Sequence, residues 1–87
     1  MATIFVRHRV ADYAAWRPHY DADIDRRKGA GMTEVGVFQN SGDPNDLLLV
    51  FSAADGSAMD AMLADPSLKA KMEEAGVTGP PEVFVAQ

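Results

Sequence analysis

Cysteine is absent from this chain of 87 residues. That excludes disulfide staples and thiolate-held metal. Long apolar runs are missing too: nothing approaches the roughly 18 residues of a membrane-spanning helix. Basic residues are few, eight against thirteen acids for a net charge of -5. No basic stripe is present, so a nucleic-acid surface is not expected. There is no internal repeat, low-complexity segment or linker. The G-x-S-x-G and H-E-x-x-H signatures are lacking. Asp21, Asp23 and Asp25 point in different directions along a helix and lack the glycine and closing glutamate of a calcium loop. Gly29-Ala30-Gly31 follows a helix, whereas phosphate-cradling glycines precede one.

What is present is ordinary globular composition, 47% hydrophobic and 24% charged. The length fits one domain spanning residues 1–87. The first residues lack a secretion signal's basic start and long apolar stretch. A soluble cytoplasmic protein, with no membrane association, is the expectation.

Thr3 to Val10 reads as a strand, with Ile4, Val6, His8 and Val10 on one face and Phe5, Arg7 and Arg9 on the other. Asp12 is a helix cap. Tyr13, Trp16, Tyr20, Ile24 and Arg27 then follow at helical spacing. Pro18 interrupts that pattern and predicts a kink, with the helix resuming to about Lys28 and ending at Gly29 and Gly31. Met32 to Gln39 is the second strand, with Val35 and Val37 on one face and Met32 and Phe38 on the other. Turn formers fill Asn40 to Asn45. Leu47 to Ala53 is a third strand, apolar on both faces and so central. Ser57 is expected to cap a short helix to about Ala64, and Asp65-Pro66 to open another. Gly76 is a left-handed terminator with Val77 closing behind it. Glu82 to Ala86 is the fourth strand.

The order is β-α-β-β-α-β with the second helix broken in two. This is the α+β ferredoxin-like motif, a four-stranded antiparallel sheet with strands one and three in the middle. Helices cover one sheet face. The other lacks the polar alternation of a wetted face. A second copy of the same face, related by a two-fold axis, would cover it. The expected assembly is therefore a homodimer in which two sheets close into an α/β barrel.

His8-Arg9-Val10-Ala11-Asp12-Tyr13-Ala14-Ala15-Trp16-Arg17-Pro18 has the form H-x-V-x-D-Y-x-x-W-x-P. Asp65-Pro66-Ser67-Leu68, Met72, Ala75-Gly76-Val77 and Gly79-Pro80-Pro81 follow. Together they resemble small bacterial proteins of the dimeric α/β-barrel superfamily, which contains the antibiotic-biosynthesis monooxygenases. The resemblance spans nearly the whole chain. It implies a homodimer with a ligand pocket in each subunit, between sheet and helices. Superfamily activities include cofactor-free oxidation of polyketides, haem degradation, lactone isomerisation and effector binding. Haem degraders pair a first-strand Asn with a Trp and a His of the second helical region, all missing here. The polyketide oxidisers carry a Trp in that region, whereas the one Trp here, Trp16, is on the first helix.

His8 is the candidate catalytic residue. A histidine on an apolar strand face loses water and needs a partner. It is either a core residue tied to a carbonyl or to Asp12, or an acid/base group in a pocket. Tyr13, Trp16, His19 and Tyr20 are the candidate substrate-binding residues. Aromatics at this spacing serve as core or as pocket wall. His19 could pair with Asp23 one turn on. Arg7 and Arg9 need carboxylate partners, from this chain or a second, or bind an anion.

Two functions follow. One is a cofactor-free, metal-free enzyme, a monooxygenase or isomerase acting on a small hydrophobic or aromatic substrate. The other is a non-catalytic dimer that binds a small ligand or a protein partner.

Overall fold

The computed structural model describes residues 1–87. The elements in order are β1 (Ala2–Arg9), α1 (Tyr13–Ala22), α2 (Ile24–Gly29), β2 (Thr33–Asn40), β3 (Asp43–Ala53), α3 (Ser57–Leu63), α4 (Pro66–Glu74) and β4 (Glu82–Ala86). The sheet order is β2-β3-β1-β4 with every pairing antiparallel. The ferredoxin-like arrangement and the central place of the first and third strands are thus as the sequence indicates.

Register decides which side chains enter the core. Ile4 pairs with Phe51, Val6 with Leu49 and His8 with Leu47. These alternate residues are buried together with Trp16, Tyr20, Met59 and Met62, so the helices lie on that face. Ile4 and Leu47 are fully enclosed. On the opposite face Phe5 pairs with Val50 and Phe84, and Leu48 pairs with Arg7 and Phe38.

The caps follow local chemistry. Asp12 accepts from the Ala14 N–H at 3.1 Å, and Asp65 from the Ser67 N–H at 2.9 Å. Gly76 has φ +88°, and behind it the Val77 N–H reaches the Met72 carbonyl at 3.0 Å. That is the six-to-one closure of a Schellman turn. The start of α3 differs from the expectation: Ser57 is its first residue, Gly56 stands at the N-cap with no side-chain cap bond, and Asp55 accepts from the Ser57 N–H at 2.8 Å.

Three further expectations are corrected. Pro18 does not break the first helix, which runs through it to Ala22. The bond lost is to the Ala14 carbonyl, on a face where both residues are exposed to water. The break falls at Asp23, whose N–H bonds the Tyr20 carbonyl at 3.2 Å, while the Arg27 guanidinium donates to the same carbonyl at 2.8 Å. With that carbonyl taken, the chain turns and restarts as α2. Next, the third strand starts at Asp43, not Leu47, because Asn40 and Asp43 pair around a two-residue turn. Last, Glu34 pairs with Phe51 but Gly36 with Val50, a bulge that inserts Val35. Val35 and Val37 therefore do not share a face: Val37 packs on the core and Val35 is exposed. Met32 is buried in the core, and Phe38 stands exposed on the opposite face.

No helix is long and apolar enough to cross a membrane.

Candidate functional site

His8 lies one residue from the end of β1, on the face covered by helices, and is 6% exposed. Neither Nδ1 nor Nε2 has a hydrogen-bond partner within the chain. Asp12 is committed to the Ala14 N–H, so the tie to Asp12 is not formed. Burial pushes the imidazole pKa below its ordinary value. The ring is therefore neutral at pH 7, with one nitrogen able to accept a proton and the other to donate one.

A cavity of about 100 Å³ adjoins His8 beneath the helices. Trp16 and Tyr20 form one wall, with ring centroids 4.8 Å apart and planes 25° from parallel. Tyr20 donates to Glu34 at 2.7 Å. Burial, then that hydrogen bond, raises the phenol pKa above its ordinary value. Met32, Met59, Met62 and Met72 supply much of the remaining wall. Arg27 completes it, its guanidinium carbon 3.8 Å from the Tyr20 ring centroid.

The other candidates divide. His19 is exposed and stands at the cavity rim with Asp23. Its pairing with Asp23 is not formed: that carboxylate is held by Arg26 at 3.0 and 3.2 Å. Tyr13 is outside the cavity lining. It packs on the Trp16 indole, and its hydroxyl accepts from Arg17. No three His, Asp or Glu side chains converge as a metal cluster would need.

Arg7 and Arg9 find partners within their own chain. Arg7 forms a two-pronged pair with Asp46 at 2.8 and 3.1 Å, and Arg9 pairs with Asp43. Arg7, then Asn40, hold Asp46 well below the usual carboxylate range, at about 2. Arg7, Arg9 and Asp46 line a polar hollow of about 250 Å³, and His8 is part of its lining as well as of the cavity beneath the helices.

Arg27 and the methionines were not candidates from sequence. The readable signal was Arg27 itself, a charge closing an otherwise apolar stripe that begins at Tyr13. The offset at Asp23 turns Arg27 inward and leaves Ile24 of the same stripe 44% exposed.

No model of a protein family matches the chain, and no curated protein matches it. Solved structures do. An antibiotic biosynthesis monooxygenase superposes with a TM-score of 0.71 at 14% identity, over 100% of this chain and 97% of that one. SnoaB, a cofactor-independent oxygenase from Streptomyces nogalater, gives 0.70 at 16% identity, over 99% and 90%. A Mycobacterium tuberculosis protein gives 0.67 at 17% identity, over 99% and 92%. At these identities the likeness is one of fold.

Proposed function

We propose that this chain forms a homodimer in which each subunit carries out proton-transfer chemistry on a small hydrophobic or aromatic molecule, without a cofactor, His8 serving as base and then acid. The observation that carries the reading is that His8, a residue of the cavity lining, has two buried ring nitrogens without a partner. Leaving buried polar groups unsatisfied costs about 1–3 kcal/mol. A ligand that accepts from one nitrogen, or yields a proton to the other, relieves that cost. Perturbed titratable groups of this kind cluster at functional sites. Proton abstraction would give an enolate or phenolate, the common first step of oxygenation by dioxygen and of isomerisation by reprotonation elsewhere. The cofactor-independent oxygenase of the same fold supports the first of these outcomes.

The dimer rests on the outer sheet face. Val35, Phe38 and Phe84 are 62%, 53% and 66% exposed there. Half-buried Phe5 and exposed Leu48 continue the same apolar surface between them, with Val50 buried beneath it. A second copy laid on this face would close the barrel.

Solvent exchange tests the chemistry. Small 1,3-dicarbonyl compounds are incubated with the protein in deuterated water, and loss of the acidic C–H signal is followed by NMR. Wild type should accelerate exchange, and His8→Phe should lose about 10²-fold or more of that acceleration. Equal exchange by the two proteins would remove His8 from the chemistry.

A further inference from the structure

The chain has five arginines. Four hold carboxylates: Arg7 with Asp46, Arg9 with Asp43, Arg17 with Asp21, and Arg26 with Asp23 and Asp65. The fifth, Arg27, is in no ion pair, yet it is 7% exposed and so the most enclosed of them. Elsewhere in this protein, even arginines open to water have an acid beside them. Here a buried cation has only one acceptor, the Tyr20 carbonyl at 2.8 Å, and one aromatic face. Its Nε and Nη2 have no acceptor within the chain. A buried charge without a counter-charge is costly, and proteins seldom leave one so.

The nearby acids are already engaged. Glu34 takes the Tyr20 hydroxyl, and Asp23 is held by Arg26. Lys71, from α4, adds a second positive charge to the cavity lining. The rest of the wall is mostly apolar, twelve of eighteen residues. The cavity therefore offers one cationic end, an apolar body and neutral His8. Its size, about 100 Å³, lies below the roughly 300–1,000 Å³ of pockets that take drug-sized ligands. That is room for one ring or a short branched chain, and too little for a polycycle.

We propose that the cavity binds a small organic carboxylate, whose charged group pairs with the free edge of the Arg27 guanidinium while its single ring or short branched chain lies against Trp16 and the methionines. The proposal deepens the reading of the cavity as a ligand site and rests on it. The guanidinium edge matches a carboxylate with two parallel hydrogen bonds. A neutral ligand of the same outline would fill the space and leave the cation unpaired.

Trp16, the one tryptophan of the chain, sits on the cavity wall, so its fluorescence reports occupancy. The experiment titrates benzoate, phenylacetate and 3-methylbutanoate against their neutral amides. At least one acid should bind more tightly than its amide by about tenfold or more. Arg27→Met should abolish that preference, and Arg27→Lys should keep part of it. The acid–amide comparison is made on wild type and stands even if Arg27→Met does not fold. Amides binding as well as their acids would overturn the carboxylate proposal and leave the cavity as a ligand site. Failure of all six compounds to perturb Trp16 would overturn both.

Discussion

The His8 imidazole meets the Trp16 indole edge to face, with ring centroids 5.6 Å apart and planes at 66°. This contact joins the end of β1 to the middle of α1 and seals one side of the imidazole from water. It is a contact between rings and supplies no partner to either imidazole nitrogen in the plane of the ring. Packing thus fixes the orientation of His8 while its hydrogen-bonding capacity stays free.

The lowered pKa of His8 makes stability depend on pH. In the unfolded chain this imidazole titrates near 6.5; in the folded chain burial shifts it lower. Below about pH 6.5 the unfolded state therefore binds a proton that the folded state refuses, and stability falls as pH falls. Above that pH both forms are neutral and the contribution is level. The lowered carboxyls of Asp46, Asp55 and Asp65 act in the same sense, but only toward and below their ordinary value of 3.8. Thermal unfolding should show a lower Tm at pH 5 than at pH 7. His8→Phe should have a smaller difference between the two. Parallel slopes for both proteins would mean that His8 is not the titrating group.

Assembly is read by light scattering in dilute solution, where the particle should be near twice the chain mass of 9.4 kDa. Phe84→Lys places a charge on the exposed outer face without touching the core. It should shift the particle toward the single-chain mass with the fold retained by circular dichroism. A stable wild-type monomer at micromolar concentration would remove the sheet-face argument.

Gly76→Ala should destabilise the chain by about 1 kcal/mol in chemical denaturation, the cost of a Cβ in the left-handed region. The cost is conformational, not steric. A Cβ there would meet Ala11 at 3.7 Å, an ordinary contact distance. Unchanged stability would mean that the turn closing α4 gains nothing from glycine.

Most of the fold was legible because it rests on local rules. Two-residue alternation put Ile4, Val6 and His8 on one face; a carboxylate before a helix marked Asp12 and Asp65; glycine behind a helix marked Gly76. What escaped depends on particular hydrogen-bond partners and pairings that alternation and capping rules do not specify. The break at Asp23 needs the Arg27 side chain to reach back seven residues to the Tyr20 carbonyl, which outweighs the local preference of Pro18. The added length of β3 depends on Asn40 and Asp43 pairing across a turn. The bulge at Val35 exchanges faces along β2, a one-residue slip that alternation does not register. Within the candidate site, His8, Trp16 and Tyr20 were readable as residue types out of place or in a stripe. Arg27 escaped because its importance lies in an acid that is not there. Helical spacing and an aromatic ring with a polar tip put Tyr13 in the same stripe as Trp16 and Tyr20, but the cavity wall begins one turn later.

Four methionines face the cavity, and thioether side chains turn among their rotamers at little cost. Walls of that kind fit themselves to whatever outline enters. Discrimination between competing molecules then passes from contour to the polar extremities, where Arg27 lies over the Tyr20 ring and His8 packs edge to face against Trp16. Such a compartment sorts its guests by where they carry charge and an exchangeable proton, and is lenient about the hydrocarbon in between.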